Sequence, residues 1–392
     1  MPSPGFQRRR MIHRDRMRDH FLTLVRIDSP SRREREVAMH LKEELVRLGA
    51  EVSFDQADRM VDGTVGNLIA RIPGTRPGVA PFLLCAHMDT VGPGEGIKPQ
   101  VKDDIIKSDG STILGADDKS GIAIICEVLR VLREKAVPHG ELEIVFTICE
   151  ETGLQGARHL DVAYLHARTG LVLDSSNPGR LITRAPTANR LQFTVQGLEA
   201  HAGVCPEKGI NAIRIASEAI AAMRLGRLDE ETTANIGTIE GGNAINIIPN
   251  TVTVRGEVRS HDETKLKAQT EHMIRAFEEA AARHELRLDG VTQHGQVTCE
   301  VQRDYDRLFV PEGARIVELV REAARALGRE MTLWRTGGAS DANILCAKGL
   351  EVANVGTGQQ EVHTVREHLH LGDMVRSAEL VLETLKLHAG GV

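Results

Sequence analysis

An apolar run, Phe82-Leu83-Leu84-Cys85-Ala86, leads straight into His87 and, two positions on, Asp89. Such a run bounded by turn signals predicts a strand buried on both faces. Side chains alternate along a strand, so the imidazole and the carboxylate point the same way. They sit at the carboxyl end, where open α/β sheets build their sites. An imidazole can bind a metal through one nitrogen while a nearby carboxylate orients it through the other. A satisfied polar pair at a strand end is the competing reading, and this stretch alone leaves the two even.

The same theme recurs. Asp117-Asp118 lies between Gly115 and Gly121, just before an apolar helical pattern begins at Ile122. Helix capping accounts for one acid there, not two. The run 142–149 ends in Glu150-Glu151, and Leu171-Val172-Leu173 ends in Asp174. Adjacent carboxylates at the end of a buried strand repel each other and resist desolvation. That is poor structure and good cation chemistry. With His363 near the C-terminus, the set becomes His87, Asp89, Asp117, Glu150, Glu151, Asp174 and His363. Two imidazoles with several carboxylates suit zinc, with cobalt and manganese as relatives. One divalent ion does not need so many donors. Two ions about 3.5–4 Å apart, sharing a carboxylate and a water, would use them all.

Elements must hold these groups. Val37, Leu41, Leu45 and Leu48 keep helical spacing before the stop at Gly49. Strands are predicted at 51–54 and 67–72, and a hairpin over 105–114 turning at Asp109-Gly110. The character changes near Ala185-Pro186. Leu191, Phe193 and Val195 alternate as in a half-exposed strand. A helix over 210–223, strands at 234–239 and 251–258, and a helix capped by Asp262 follow. These outline a small α+β domain inserted into a larger α/β domain. The larger domain resumes near Pro311, with a helix from Ile316, strands at 331–334 and 352–355, and a terminal helix. We expect a mixed, largely parallel sheet flanked by helices over 1–186 and 302–392, and the insert over 187–301.

The 392 residues suffice for a large core, and 41% hydrophobic with 27% charged residues is ordinary for a globular chain. A net charge of −6 and 3% aromatic residues give no footprint for nucleic acid. No apolar run reaches the length of a membrane span. The basic stretch 6–10 reads as a solvated helix start rather than a signal segment. Six scattered cysteines, without paired spacing, read as small buried hydrophobes of a reducing, cytoplasmic setting.

The chain resembles the M20 family of metallopeptidases, and within it the peptidase T-like tripeptide aminopeptidases. The resemblance rests on Ala86-His87-Met88-Asp89-Thr90-Val91, Gly115-Ala116-Asp117-Asp118-Lys119, Glu150-Glu151-Thr152-Gly153, Asp174, Gly197-Leu198-Glu199-Ala200-His201-Ala202-Gly203, Asn246-Ile247-Ile248-Pro249 and His363. These stretches cover nearly the whole chain in order. The resemblance implies that His87 and Asp174 bind one metal ion, Glu151 and His363 another, and that Asp117 bridges them. It gives Asp89 the task of orienting His87 and Glu150 that of general base. It also implies a cis peptide between Asp117 and Asp118. The insert would be a lid and dimerisation domain. His201 would reach across a homodimer to the partner's oxyanion, while Asn246, Arg259, Gly337 and Gly338 would hold a small peptide. The segment 359–364 lacks the aromatic and glycine-rich surroundings of true peptidase T. Deacylase, dipeptidase and carboxypeptidase activities of the same family therefore stand as alternatives.

Overall fold

The computed structural model describes residues 11–288 and 290–390, so the basic stretch 6–10 lies outside the described residues. The chain forms two compact units. One comprises Met1–Arg184, Leu308–Arg335 and Ser340–Val392; the other comprises Ala185–Arg307 and Thr336–Ala339.

The larger unit is built on a mixed sheet. Its strands run in the order Glu51–Phe54, Leu68–Ile72, Leu142–Thr147, Phe82–His87, Thr169–Val172, Glu351–Val355, Arg180–Ala185 and Leu308–Phe309, with Thr332–Arg335 beside Arg180–Ala185. The four central strands, 142–147, 82–87, 169–172 and 351–355, are mutually parallel. Antiparallel pairs flank them on both sides. Every residue of Phe82–His87 and of Leu142–Thr147 is buried, as parallel strands covered by helices on both faces require. The long helix Ala116–Glu134 packs on Phe82–His87 and also touches the helices Arg14–Val25 and Leu371–His388. The parallel arrangement brings several strand ends to one edge of the sheet, and this edge carries the acidic motifs.

The smaller unit holds an antiparallel sheet in the order Gly226–Arg227, Thr232–Gly241, Thr251–Ser260, Thr187–Gln196 and Gln296–Tyr305. The helices Ala212–Ala222 and Glu263–Ala282 pack against it. Alternate residues Leu191, Phe193 and Val195 point into its core, where Phe193 stacks on Phe277 with centroids 4.0 Å apart. Both helices start on side-chain caps: Asn211 accepts from the Arg214 N–H and Asp262 from the Lys265 N–H.

One local expectation is overturned. The hairpin does not turn at Asp109-Gly110. It pairs Gln100–Lys102 with Ile105–Lys107 and turns at 103–104, where Asp103 takes a φ of 56°. The segment after it closes on its own side chains instead. The Ser108 hydroxyl donates to the Thr112 carbonyl, and Asp109 accepts from the Ser111 N–H. The second strand finds its other partner far along the chain, in His368–His370. Among the described residues, no helix is long and apolar enough to cross a membrane.

Candidate metal centre

Asp117 lies at the middle of the site. One carboxylate oxygen, Oδ1, is 3.1 Å from His87 Nε2, and the other, Oδ2, is 3.3 Å from His363 Nε2. His363 Nε2 is also 3.0 Å from Glu151 Oε2. The carboxylates of Asp174 and Glu150 complete donor groups around His87. His87, Asp117, Glu150, Glu151, Asp174 and His363 thus come together, with Asp89 alongside. His368 and His370, close in sequence to His363, pack edge to face on each other instead.

Local backbone geometry aims each group. Gly115 caps the long helix with φ 72°, in the left-handed region glycine tolerates. Asp117 and Asp118 depart from helical φ/ψ, and the bond between them is cis. Gly121 lets the helix approach the strand end: a Cβ there would meet Leu173 O at 2.3 Å. Cys149 (φ 51°) and His363 (φ 62°) also take the left-handed region, which turns the chain sharply before Glu150 and at the second imidazole.

The adjacent acids Asp117 and Asp118 do different work. The Asp118 carboxylate accepts from the backbone N–H groups of His87 (3.1 Å) and Gly121 (3.2 Å). It ties the helix start to the central strand, whereas Asp117 faces the two imidazoles. Asp89 is similarly committed. Its carboxylate accepts from the N–H groups of Glu150 (2.9 Å) and Glu151 (3.2 Å) and from the Ser31 hydroxyl (2.6 Å). His87 Nδ1 is 3.0 Å from the Asp89 carbonyl oxygen and 3.4 Å from its carboxylate. Asp89 therefore orients His87 mainly through its backbone, and its side chain holds the Glu150-Glu151 turn.

Electrostatics reveals a shortage of positive charge. Burial, then repulsion from neighbouring acids, pushes the carboxyls of Glu150 and Asp174 well above the usual range, although His87 pulls the other way. Burial does the same to Asp118. The pair of hydrogen bonds to Asp117 and Glu151 raises His363 to about 10. Burial opposes a charge on His87, but Asp117 and Asp89 overcome it and raise its pKa. Two imidazoles thus hold protons against a larger set of acids. Glu151 Oε1 is buried without a hydrogen-bond partner. Oxygen and imidazole donors in surplus, with an orphaned carboxylate oxygen, fit divalent cations of borderline softness.

Several supporting residues carry no signal that the sequence reading used. Glu367 is buried and accepts three backbone N–H groups: Leu114 (2.7 Å) and Gly115 (2.8 Å) on Oε2, Asp117 (3.0 Å) on Oε1. Burial raises its pKa to about 7. Glu34 Oε1 accepts from the Arg32 and Cys149 N–H groups. Ser31-Arg32-Arg33-Glu34 has the pattern of a capping box, but its serine goes to Asp89 and its glutamate to the strand end before Glu150. Gln359 donates to the Asp174 carboxylate at 3.3 Å. Asn354 exchanges hydrogen bonds with the Asp174 backbone.

The remaining candidates belong to the smaller unit. His201 is exposed, and its Nδ1 accepts from the Gly203 N–H at 3.2 Å. The neutral ring then carries its proton on Nε2. Asn246 is exposed, with its carbonyl accepting from the Ala202 N–H. Arg259 grips Glu257 in a two-pronged pair at 3.0 and 3.1 Å. Gly337 and Gly338 are exposed at ordinary φ, and a Cβ on Gly337 would meet nothing within 4 Å. Neither φ nor crowding requires glycine there.

Two sequence-family models match the chain: the M20 peptidase dimerisation domain over 187–285 and peptidase family M28 over 67–186. Uncharacterized protein YqjE of Bacillus subtilis is 40% identical, with 96% of this chain and 99% of that protein aligned. The crystal structure of the aminopeptidase PepT from Bacillus cereus is 41% identical, covers 97% of this chain and 100% of its own, and superposes with a TM-score of 0.86. A tripeptidase from Staphylococcus aureus is 37% identical over the same shares, with a TM-score of 0.90.

Glu367 generates a prediction of its own. Glu367→Ala strands three buried N–H donors, each costing about 1 kcal/mol or more. We expect a loss of roughly 3 kcal/mol in denaturant unfolding, and less than half of that for Glu367→Gln, which keeps one acceptor oxygen. Equal losses for both variants would mean that the hydrogen bonds do not stabilise this loop.

Proposed function

The chain belongs to the M20 peptidase family, in its peptidase T-like branch, and from that membership we propose that it is a two-metal aminopeptidase releasing the N-terminal residue of tripeptides. The observation that carries the reading is Asp117, whose two oxygens each face a different histidine. His87 and Asp174 would hold one divalent ion, Glu151 and His363 the other, and Asp117 both. Zinc is the first choice for these donors, with cobalt and manganese as relatives. Bound there, the ions would supply Lewis acidity to the scissile carbonyl and acidify water.

The chain's own groups do the rest. Glu150 accepts a proton from the attacking water on its carboxylate and returns it to the departing amine nitrogen. Asp89 fixes Glu150 through its backbone N–H, so the base is held by the same residue that orients His87. His201, with its proton on Nε2, is set up as a donor to a developing oxyanion. The match of the insert to a peptidase dimerisation domain supports a homodimer in which that donor comes from the partner. Asn246 and the open backbone at Gly337 and Gly338 would hold the peptide.

Glu150→Gln keeps size and removes the proton acceptor. It should retain the metal content of the unsubstituted protein while turnover falls by about a hundredfold or more. Loss of metal instead would make Glu150 a ligand and reverse the two glutamates.

His201→Ala should also lose turnover and keep its metal. Mixed dimers of His201→Ala with Glu150→Gln should recover part of the activity, because one of the two centres then has both groups. Verified mixed dimers with no recovery would place His201 outside the partner's site.

The substrate is tested by kcat/KM for a tripeptide, its N-acetyl form, the matching dipeptide and an N-acetyl amino acid. An aminopeptidase loses most activity when the amine is capped. The acetylated amino acid as best substrate would make the protein a deacylase, and the dipeptide would make it a dipeptidase.

A further inference from the structure

The larger unit holds a second set of metal-ligating side chains that the peptidase chemistry does not use. His20, on the helix Arg14–Val25, meets His40 and Glu44, on the helix Arg35–Arg47, and one donor atom from each lies within 4.8 Å of the others. His40 and Glu44 are four residues apart and share one helix face. Cys126 and Arg130 of the long helix 116–134 also face this cluster. Cys126 is eight residues beyond Asp118, roughly 12 Å along the helix axis, so the cluster is separate from the centre at the helix start.

The polar accounting within the cluster does not close. His20 and Glu44 are only 8% and 5% exposed. His20 Nε2 is 2.7 Å from Glu44 Oε2, yet neither ring nitrogen of His20 has a hydrogen bond. Buried imidazoles normally find partners, because an unsatisfied polar group costs about 1–3 kcal/mol. Glu44 faces His20 through Oε2 and Arg130 Nη2, 2.7 Å away, through Oε1. Against burial, His20 first and then Arg130 hold the Glu44 carboxylate below its usual range. The rings of His20 and His40 lie nearly parallel, 26° apart, with centroids separated by 6.4 Å.

We propose that His20, His40 and Glu44 bind one further divalent cation, Zn2+ by the chemistry of the donors. Two imidazoles and one carboxylate form a three-ligand zinc set that leaves a fourth position for water. Partly exposed His40 gives the ion a route from solvent. The ion would pin the helix 14–25 to the helix 35–47 and occupy the lone pair that His20 leaves unused. None of its ligands belongs to the peptidase centre.

The test compares metal content and zinc affinity, not activity. Holoenzyme purified without chelator and equilibrated with Zn2+ should carry one equivalent more than His40→Ala treated identically. Zinc titration of the depleted proteins should show one site weakened at least about tenfold in the variant, with kcat/KM at saturating zinc unchanged. His20→Asn serves as a second variant. His40 is partly exposed, so its replacement tests the site even if His20→Asn does not fold. Equal metal content and equal titrations in wild type and His40→Ala would overturn the proposal. An incorrect ion count in the peptidase centre shifts both proteins alike, so the difference between them isolates this site.

Discussion

Negative charge gathered at the carboxyl ends of parallel strands is the constraint on which the larger unit turns. Two like charges 4 Å apart repel by about 4 kcal/mol at the effective dielectric of a protein interior. Asp117, Asp118, Glu150, Glu151 and Asp174 crowd around His87 and His363. The structure treats these acids in two ways. Those at the margin accept backbone N–H groups, two each for Asp89, Glu34 and Asp118 and three for Glu367, although Glu34 spends both on Oε1 and leaves Oε2 without a partner. Those at the centre do not. Asp117 and Glu151 are left with imidazoles, Glu150 and Asp174 with raised pKa values, and Glu151 with an orphaned oxygen. The outer ring fixes backbone. The inner ring is left for cations.

The division explains what could be read from the chain alone. Inner acids stand at the ends of apolar runs, where local pattern predicts both strand and exposed edge. In the smaller unit the apolar period changes to alternation at Leu191, Phe193 and Val195, one face of a sheet. The outer ring had no such marker. Glu367 reaches loop residues some 250 positions away, and Glu34 reaches Cys149 across 115. Nothing local distinguishes a glutamate with that duty from one in water. Ser31 and Glu34 did carry a local signal, the capping-box spacing, but tertiary contacts took over both side chains. The misplaced hairpin has the same cause. Asp109-Gly110 is sound turn chemistry, yet the strand after it never forms, because Ile105–Lys107 pairs with a segment from the far end of the chain.

The adjacent acids at 117 and 118 show how little residue type alone decides. Both are buried aspartates. Asp118 spends both oxygens on backbone N–H groups and so acts as a clamp between helix and strand. Asp117 spends both on imidazoles. The distinction lies in which donors each can reach, and those donors are set by Gly121 and by the end of the strand at His87.

In the smaller unit, the same reasoning changes the value of Arg259. A guanidinium prepared to capture a peptide's terminal carboxylate should keep its fork open, because bidentate pairing is what makes arginine selective. Here the fork already holds Glu257, two residues along the same strand. Glu257 takes the Nε and Nη2 donors, so its pair does not include the Nη1 end of the guanidinium. Partly exposed pairs of this kind are worth about 1 kcal/mol or less. Gly337 and His201 differ from Arg259 in this respect: a Cβ on Gly337 would meet nothing within 4 Å, and the His201 ring uses Nδ1 for the Gly203 N–H.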